Sequence, residues 1–141
     1  MGLIFVGISI NLKNILSIKG LDLRASISMF LLLGILIISL LMLAPFEPSA
    51  RGLLVLITAC FIWLATIIFD IKIYKGKQAT YKRHYLINML FNQAATIPNI
   101  VAGSLIFNAN ENGFYFTVPA IIFSIIKAVL DAWVLLVEIN R

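Results

Sequence analysis

Charged side chains are scarce in this sequence. Only 12% of its 141 residues are Asp, Glu, Lys or Arg, whereas 62% are hydrophobic and the mean hydropathy is +1.05. Soluble domains carry about 25% charged residues, so a water-soluble fold is excluded. Cysteine is nearly absent as well: Cys60 stands alone inside an apolar run, which rules out an intrachain disulfide and a Cys-based metal site. His84 is the only histidine, with neither metal-ligand partners nor a nucleophile to activate. Gly-rich phosphate loops and a Gly-x-Ser-x-Gly elbow are missing, and Asp131 and Glu138 lie on one segment with no substrate site between them. No enzyme activity and no cofactor are therefore expected.

What the sequence has in abundance is long apolar runs, each comparable to the roughly 20 residues that cross a bilayer. Period-two alternation, the mark of a membrane barrel, is absent from all of them, so helices must pair the backbone groups in lipid. The reading is an all-α helical transmembrane bundle forming one integral membrane domain over 1–141. Segment A covers about 2–18, B 23–44, C 50–75, D 81–107 and E 114–140. B to E are full spans. A is short and interrupted by Asn11, Lys13 and Asn14, and is read as a truncated fifth span, with an interfacial helix as the alternative. Met1 to Ile10 lacks a basic leader and a small-residue cleavage site, so it is read as retained.

The breaks have chemical causes. Lys19-Gly20 stops A, and Asp22 can cap B. Pro45-Phe46-Glu47-Pro48 ends B, with Ser49 placed to cap C. Asn108-Ala109-Asn110-Glu111-Asn112-Gly113 is the strongest turn signal. The formal charge of +5 is distributed as a topology signal. Lys13, Lys19 and Arg24 mark the A–B connection and Lys72, Lys75, Lys77, Lys82 and Arg83 the C–D connection, whereas B–C has only Arg51 and D–E has no basic residue. The positive-inside rule then puts A–B, C–D and the C-terminus in the cytoplasm of a multi-pass plasma-membrane protein. The basic run of C–D is explained by orientation, with a patch for anionic lipid headgroups as the alternative.

Segment D is the polar one. Asn88, Asn92, Thr96, Asn99 and Gly103 follow at helical spacings and form one stripe, with Gln93 beside it; Pro98 frees a carbonyl near Ala94. Segment E places Ser124, Lys127, Asp131 and Glu138 on one face, with Lys127 and Asp131 one turn apart. An isolated charge at mid-membrane costs about 2.5–3.5 kcal/mol on insertion scales, so the two are expected to pair, turned inward, within reach of Asn92 or Thr96. D and E should then pack with polar faces together. Asp70 is expected to be neutralised by Lys72 or the basic connection, and Trp63 and Trp133 to be packing or interface residues. This polar set has two readings: glue between helices, which is favoured, or a hydrated track for an ion or proton.

Three stretches belong together. Gly2-Leu3-Ile4-Phe5-Val6-Gly7-Ile8-Ser9-Ile10-Asn11-Leu12, Asn92-Gln93-Ala94-Ala95-Thr96-Ile97-Pro98 and Asp131-Ala132-Trp133-Val134-Leu135-Leu136-Val137-Glu138-Ile139-Asn140-Arg141 resemble an uncharacterised family of small bacterial integral membrane proteins, nearly end to end. The resemblance implies a bacterial inner-membrane location and carries no activity, substrate or catalytic residue. Members of that family start with a further small-residue apolar stretch, which would complete segment A, and have a neutral residue where this chain has Asp131. The functional expectation is a structural or accessory protein acting through helix contacts; the alternative is a minimal transporter or ion conduit. Its partners are the lipid bilayer and either a second copy or another membrane protein, with no nucleic acid.

Overall fold

The computed structural model describes residues 2, 6, 9, 21–75, 82–110 and 112–138. Four helices account for nearly all of them: α1 (Leu21–Leu43), α2 (Pro48–Lys75), α3 (Lys82–Phe107) and α4 (Gly113–Glu138). They correspond to segments B to E, and no strand occurs among the described residues. Each helix is long and apolar enough to cross a membrane. The span expected over residues 2–18 lies outside the described residues, apart from three isolated positions.

The helix ends differ from expectation at two places, each for a local reason. α2 begins at Pro48, not after a Ser49 cap, and the Arg51 amide donates to the Glu47 carbonyl at 2.8 Å to close its first turn. Proline suits that first position, where its missing N–H would have no helical partner. At the end of α3, the Asn110 amide donates to Leu105 O at 3.0 Å and the Ala109 amide to Ile106 O at 2.9 Å. This is the Schellman pattern, which needs a left-handed residue. Ala109 fills that position with φ of 54°, although asparagines flank it on both sides.

The helices close a ring in which α1 touches α2 and α4, and α3 touches α2 and α4. Short connections at 44–47 and 108–112 make the joined helices antiparallel. The α2–α3 contact is the most extensive, and it rests on two glycines. A Cβ on Gly52 would sit 2.2 Å from the Phe107 backbone nitrogen, and one on Gly103 would sit 2.7 Å from that of Leu56. Small residues that admit a neighbouring backbone are the usual means of packing helices tightly in lipid.

Polarity is distributed opposite to that of a soluble bundle. Leu40, Phe61, Leu90 and Trp133 are each more than half exposed, while Ser28, Thr66, Asn92, Ser124 and Asp131 are buried. Such a surface is stable only where hydrocarbon is the solvent, because water would favour the reverse. Among the described residues the outcome is an all-α bundle of four membrane-crossing helices, with polar groups set among apolar ones in its interior.

Two substitutions test these features by reversible unfolding in mixed micelles. Gly52→Leu forces side-chain atoms onto backbone that cannot yield, so a loss of about 1–3 kcal/mol or more is expected. Ala109→Gly relieves the left-handed strain and should stabilise by about 1 kcal/mol.

Candidate functional site

The polar residues of the interior gather in the half of the bundle where α1 begins and α2 ends. α4 supplies the centre. Lys127 and Asp131, one turn apart, form a direct ion pair between Nζ and Oδ2 and are both almost wholly buried. Across the interface, α1 brings Ser28, whose hydroxyl donates to Asp131 Oδ2 at 3.0 Å. The same hydroxyl lies 3.3 Å from the Arg24 carbonyl, but its one proton favours the closer, charged acceptor. Arg24 completes the set, with Nε 3.4 Å from Asp131 Oδ1. That contact is ionic and is not a hydrogen bond, since Nε has no acceptor in line. One carboxylate thus holds two cations and a hydroxyl from two helices.

A second carboxylate lies close by. Asp70 of α2 accepts from the Asn92 side-chain amide of α3 with both oxygens, at 2.9 Å to Oδ1 and 3.1 Å to Oδ2. It also lies within electrostatic reach of Lys127 and Asp131. Two carboxylates and two cations therefore share one low-dielectric interior, and all four helices contribute to it. Their formal charges balance, which is the condition for tolerating ions at this depth.

Further polar contacts tie α3 to its neighbours. Trp63 Nε1 of α2 donates to Gln93 Oε1 at 2.7 Å. Ser124 of α4 donates to the Ala95 carbonyl at 3.1 Å. Thr96 bonds its own helix, at 3.0 Å to Asn92 O. The carbonyl that receives an outside hydroxyl is Ala95, one residue beyond Ala94, whose helical donor Pro98 removes.

These positions revise several expectations. The Lys127–Asp131 pair forms and faces inward, but neither Asn92 nor Thr96 bonds to it; Asn92 goes to Asp70 and Thr96 to its own backbone. The stripe on α3 is turned mainly to α2, through Asn92 and Gly103, and the charged pair of α4 is turned to α1. Asn99 is buried and Asn88 half-buried. Asp70 is held by Asn92, while Lys72 instead lies over the Phe69 ring at 6.0 Å. Trp63 is a hydrogen-bond donor, whereas Trp133 is 62% exposed on the outer face. Of the basic patch, Lys72 and Lys75 are exposed at the end of α2; Lys77 and the side chains of Lys82 and Arg83 lie outside the described residues.

Ser28 does not stand out in the sequence, and Arg24 does so only as a charge of the A–B connection. Arg24 reads as part of a connection, yet it lies in the first turn of α1 and reaches inward with 22% exposure. Its spacing of four from Ser28 is the one signal that puts both on a common face. Among the described residues no three His, Cys, Asp or Glu side chains come together as a metal would need. Comparison with protein-family models, curated proteins and solved structures finds no match.

Removing Asp131 takes away the carboxylate that both Lys127 and Arg24 contact, and leaves two cations in the interior with only the more distant Asp70 to balance them. Asp131→Leu should cost about 3–5 kcal/mol of stability, as breaking a buried ion pair does elsewhere. The double variant Lys127→Met with Asp131→Leu should be more stable than the single one, and a double-mutant cycle by unfolding in micelles measures the coupling.

Proposed function

We propose that this chain is a structural or accessory protein of a bacterial inner membrane, acting through helix contacts with a second copy or another membrane protein. The observation that carries this reading is how the interior polar groups are used. Asp131 takes partners from α1 and α4, Asp70 is bound by α3, and Gln93 and the Ala95 carbonyl receive donors from α2 and α4. Groups engaged in this way clamp the bundle, and each such contact contributes about 0.6–2 kcal/mol in a membrane. The outward surface is then left as the one with which the protein acts. Away from the helix ends it is dominated by large apolar side chains, suited to lipid or to another helix.

The exposed Lys72 and Lys75 support a cytoplasmic location for that end of α2, and with it for the C-terminal end of α4. Near an anionic leaflet each adds about 1 kcal/mol of attraction.

The conduit reading draws on one observation: Asn92 Oδ1 is buried beside Asp70 without a donor, an open acceptor next to a charge cluster. A reconstitution experiment separates the two readings. Proteoliposomes of the purified chain should show no proton, potassium or chloride flux above protein-free vesicles, while a photo-crosslinker at Trp133 captures a protein partner in the native membrane. Flux that Lys127→Leu with Asp131→Leu abolishes, in a protein that still folds, would contradict the accessory role.

A further inference from the structure

On the far side of Thr96 from the charge cluster, the bundle holds a small, partly open cavity of about 10 Å³. Thr96 and Asn99 of α3, Ser124 of α4, Gly34 and Leu31 of α1, and Ile62 of α2 are among its lining residues, so it touches all four helices. A single water needs about 10–15 Å³ measured this way, so there is room for one and not for two.

The polar side chains of the lining offer mainly acceptors. The Ser124 hydroxyl proton goes to the Ala95 carbonyl at 3.1 Å, and that of Thr96 to Asn92 O at 3.0 Å. Asn99 turns its amide nitrogen toward the Ala95 carbonyl at 3.5 Å, which fixes its orientation, since the reverse would set two oxygens against each other. Asn99 is 6% exposed, and its Oδ1 is buried with no donor. What remains in the polar lining is one amide oxygen, the second N–H of the Asn99 amide and the lone pairs of two hydroxyls.

We infer that this cavity is a binding site for one ordered water molecule, which donates to Asn99 Oδ1 and to a hydroxyl oxygen of Ser124 or Thr96 and so bridges α3 to α4. Two alternatives fail on physical grounds. A dry cavity would leave Asn99 Oδ1 unsatisfied in a region with no bulk water to reach it, whereas empty cavities in proteins are apolar. A metal cation would meet only three neutral oxygens where Ca²⁺ and Mg²⁺ take about six or more. It would also add uncompensated charge, because Asp131 and Asp70 already face Lys127 and Arg24. The inference does not depend on the proposed role. A lone water walled by Leu31 and Ile62 joins helices whether or not the protein acts as an accessory.

The test uses the full chain, isotope-labelled, in detergent micelles. A water–protein Overhauser experiment should show a long-lived water at the Asn99 side-chain amide. Gly34→Ala puts a methyl against the cavity wall, 2.3 Å from Ile62 Cδ1, so that the methyl and the displaced Ile62 side chain crowd a space that both residues line. The water signal should then be lost while the fold is kept. No long-lived water in the wild type, or an undiminished signal in folded Gly34→Ala, would overturn the inference. So would shifts of the Asn99 and Ser124 resonances on replacing potassium by sodium, which would make the occupant a cation. If the added methyl prevents folding, the wild-type spectrum decides alone: the signal supports the water and its absence refutes it.

Discussion

The Asp131 carboxylate is the group on which the arrangement of the bundle depends. In hydrocarbon, a charge has no water to return to, so the helices must pack in whatever way brings partners to it. Lys127 comes from one turn earlier on the same helix, and Arg24 and Ser28 come from α1. That requirement fixes the rotation of α4 and α1 against each other more tightly than apolar packing could, because leucine faces lipid and protein with nearly equal ease. Asp70 and Asn92 impose the same condition on α2 and α3.

Two kinds of contact thus divide the bundle along its length. In the half where α1 begins, ionic and amide groups hold the helices in register. In the other half, where α1 and α3 end, Gly52 and Gly103 let α2 and α3 approach until backbones touch. The first kind specifies which faces meet, and the second supplies close van der Waals packing over a long contact. Pro98 and Pro119 lie inside α3 and α4 without ending them. A membrane helix tolerates such residues where neighbouring side chains take up freed carbonyls nearby.

The four spans and their polar stripes were legible because hydropathy and helical period are local properties. So was the Lys127–Asp131 pair, whose partners are four residues apart. What could not be read was which stripe meets which. Ser28 and Asp131 are separated by 103 positions, and Asp70 and Asn92 by 22, so their pairing is set by the packing of the ring. The charge on Arg24 reads as a loop charge for the same reason: its position in the first turn is ambiguous until the side chain is seen to turn inward. Ala109 shows the limit of turn rules. The Schellman geometry demanded a left-handed residue at a fixed distance from the helix end, and the alanine, not either asparagine, occupied it.

The central claim is that the ions inside this bundle neutralise one another in the membrane itself. Solid-state NMR in lipid bilayers measures it directly, through the dipolar coupling between ¹⁵Nζ of Lys127 and ¹³Cγ of Asp131. The account predicts strong dephasing from direct contact, with no magnetisation transfer from lipid acyl protons to Lys127. Weak dephasing together with transfer from the acyl chains would mean that Lys127 faces lipid, and would contradict it.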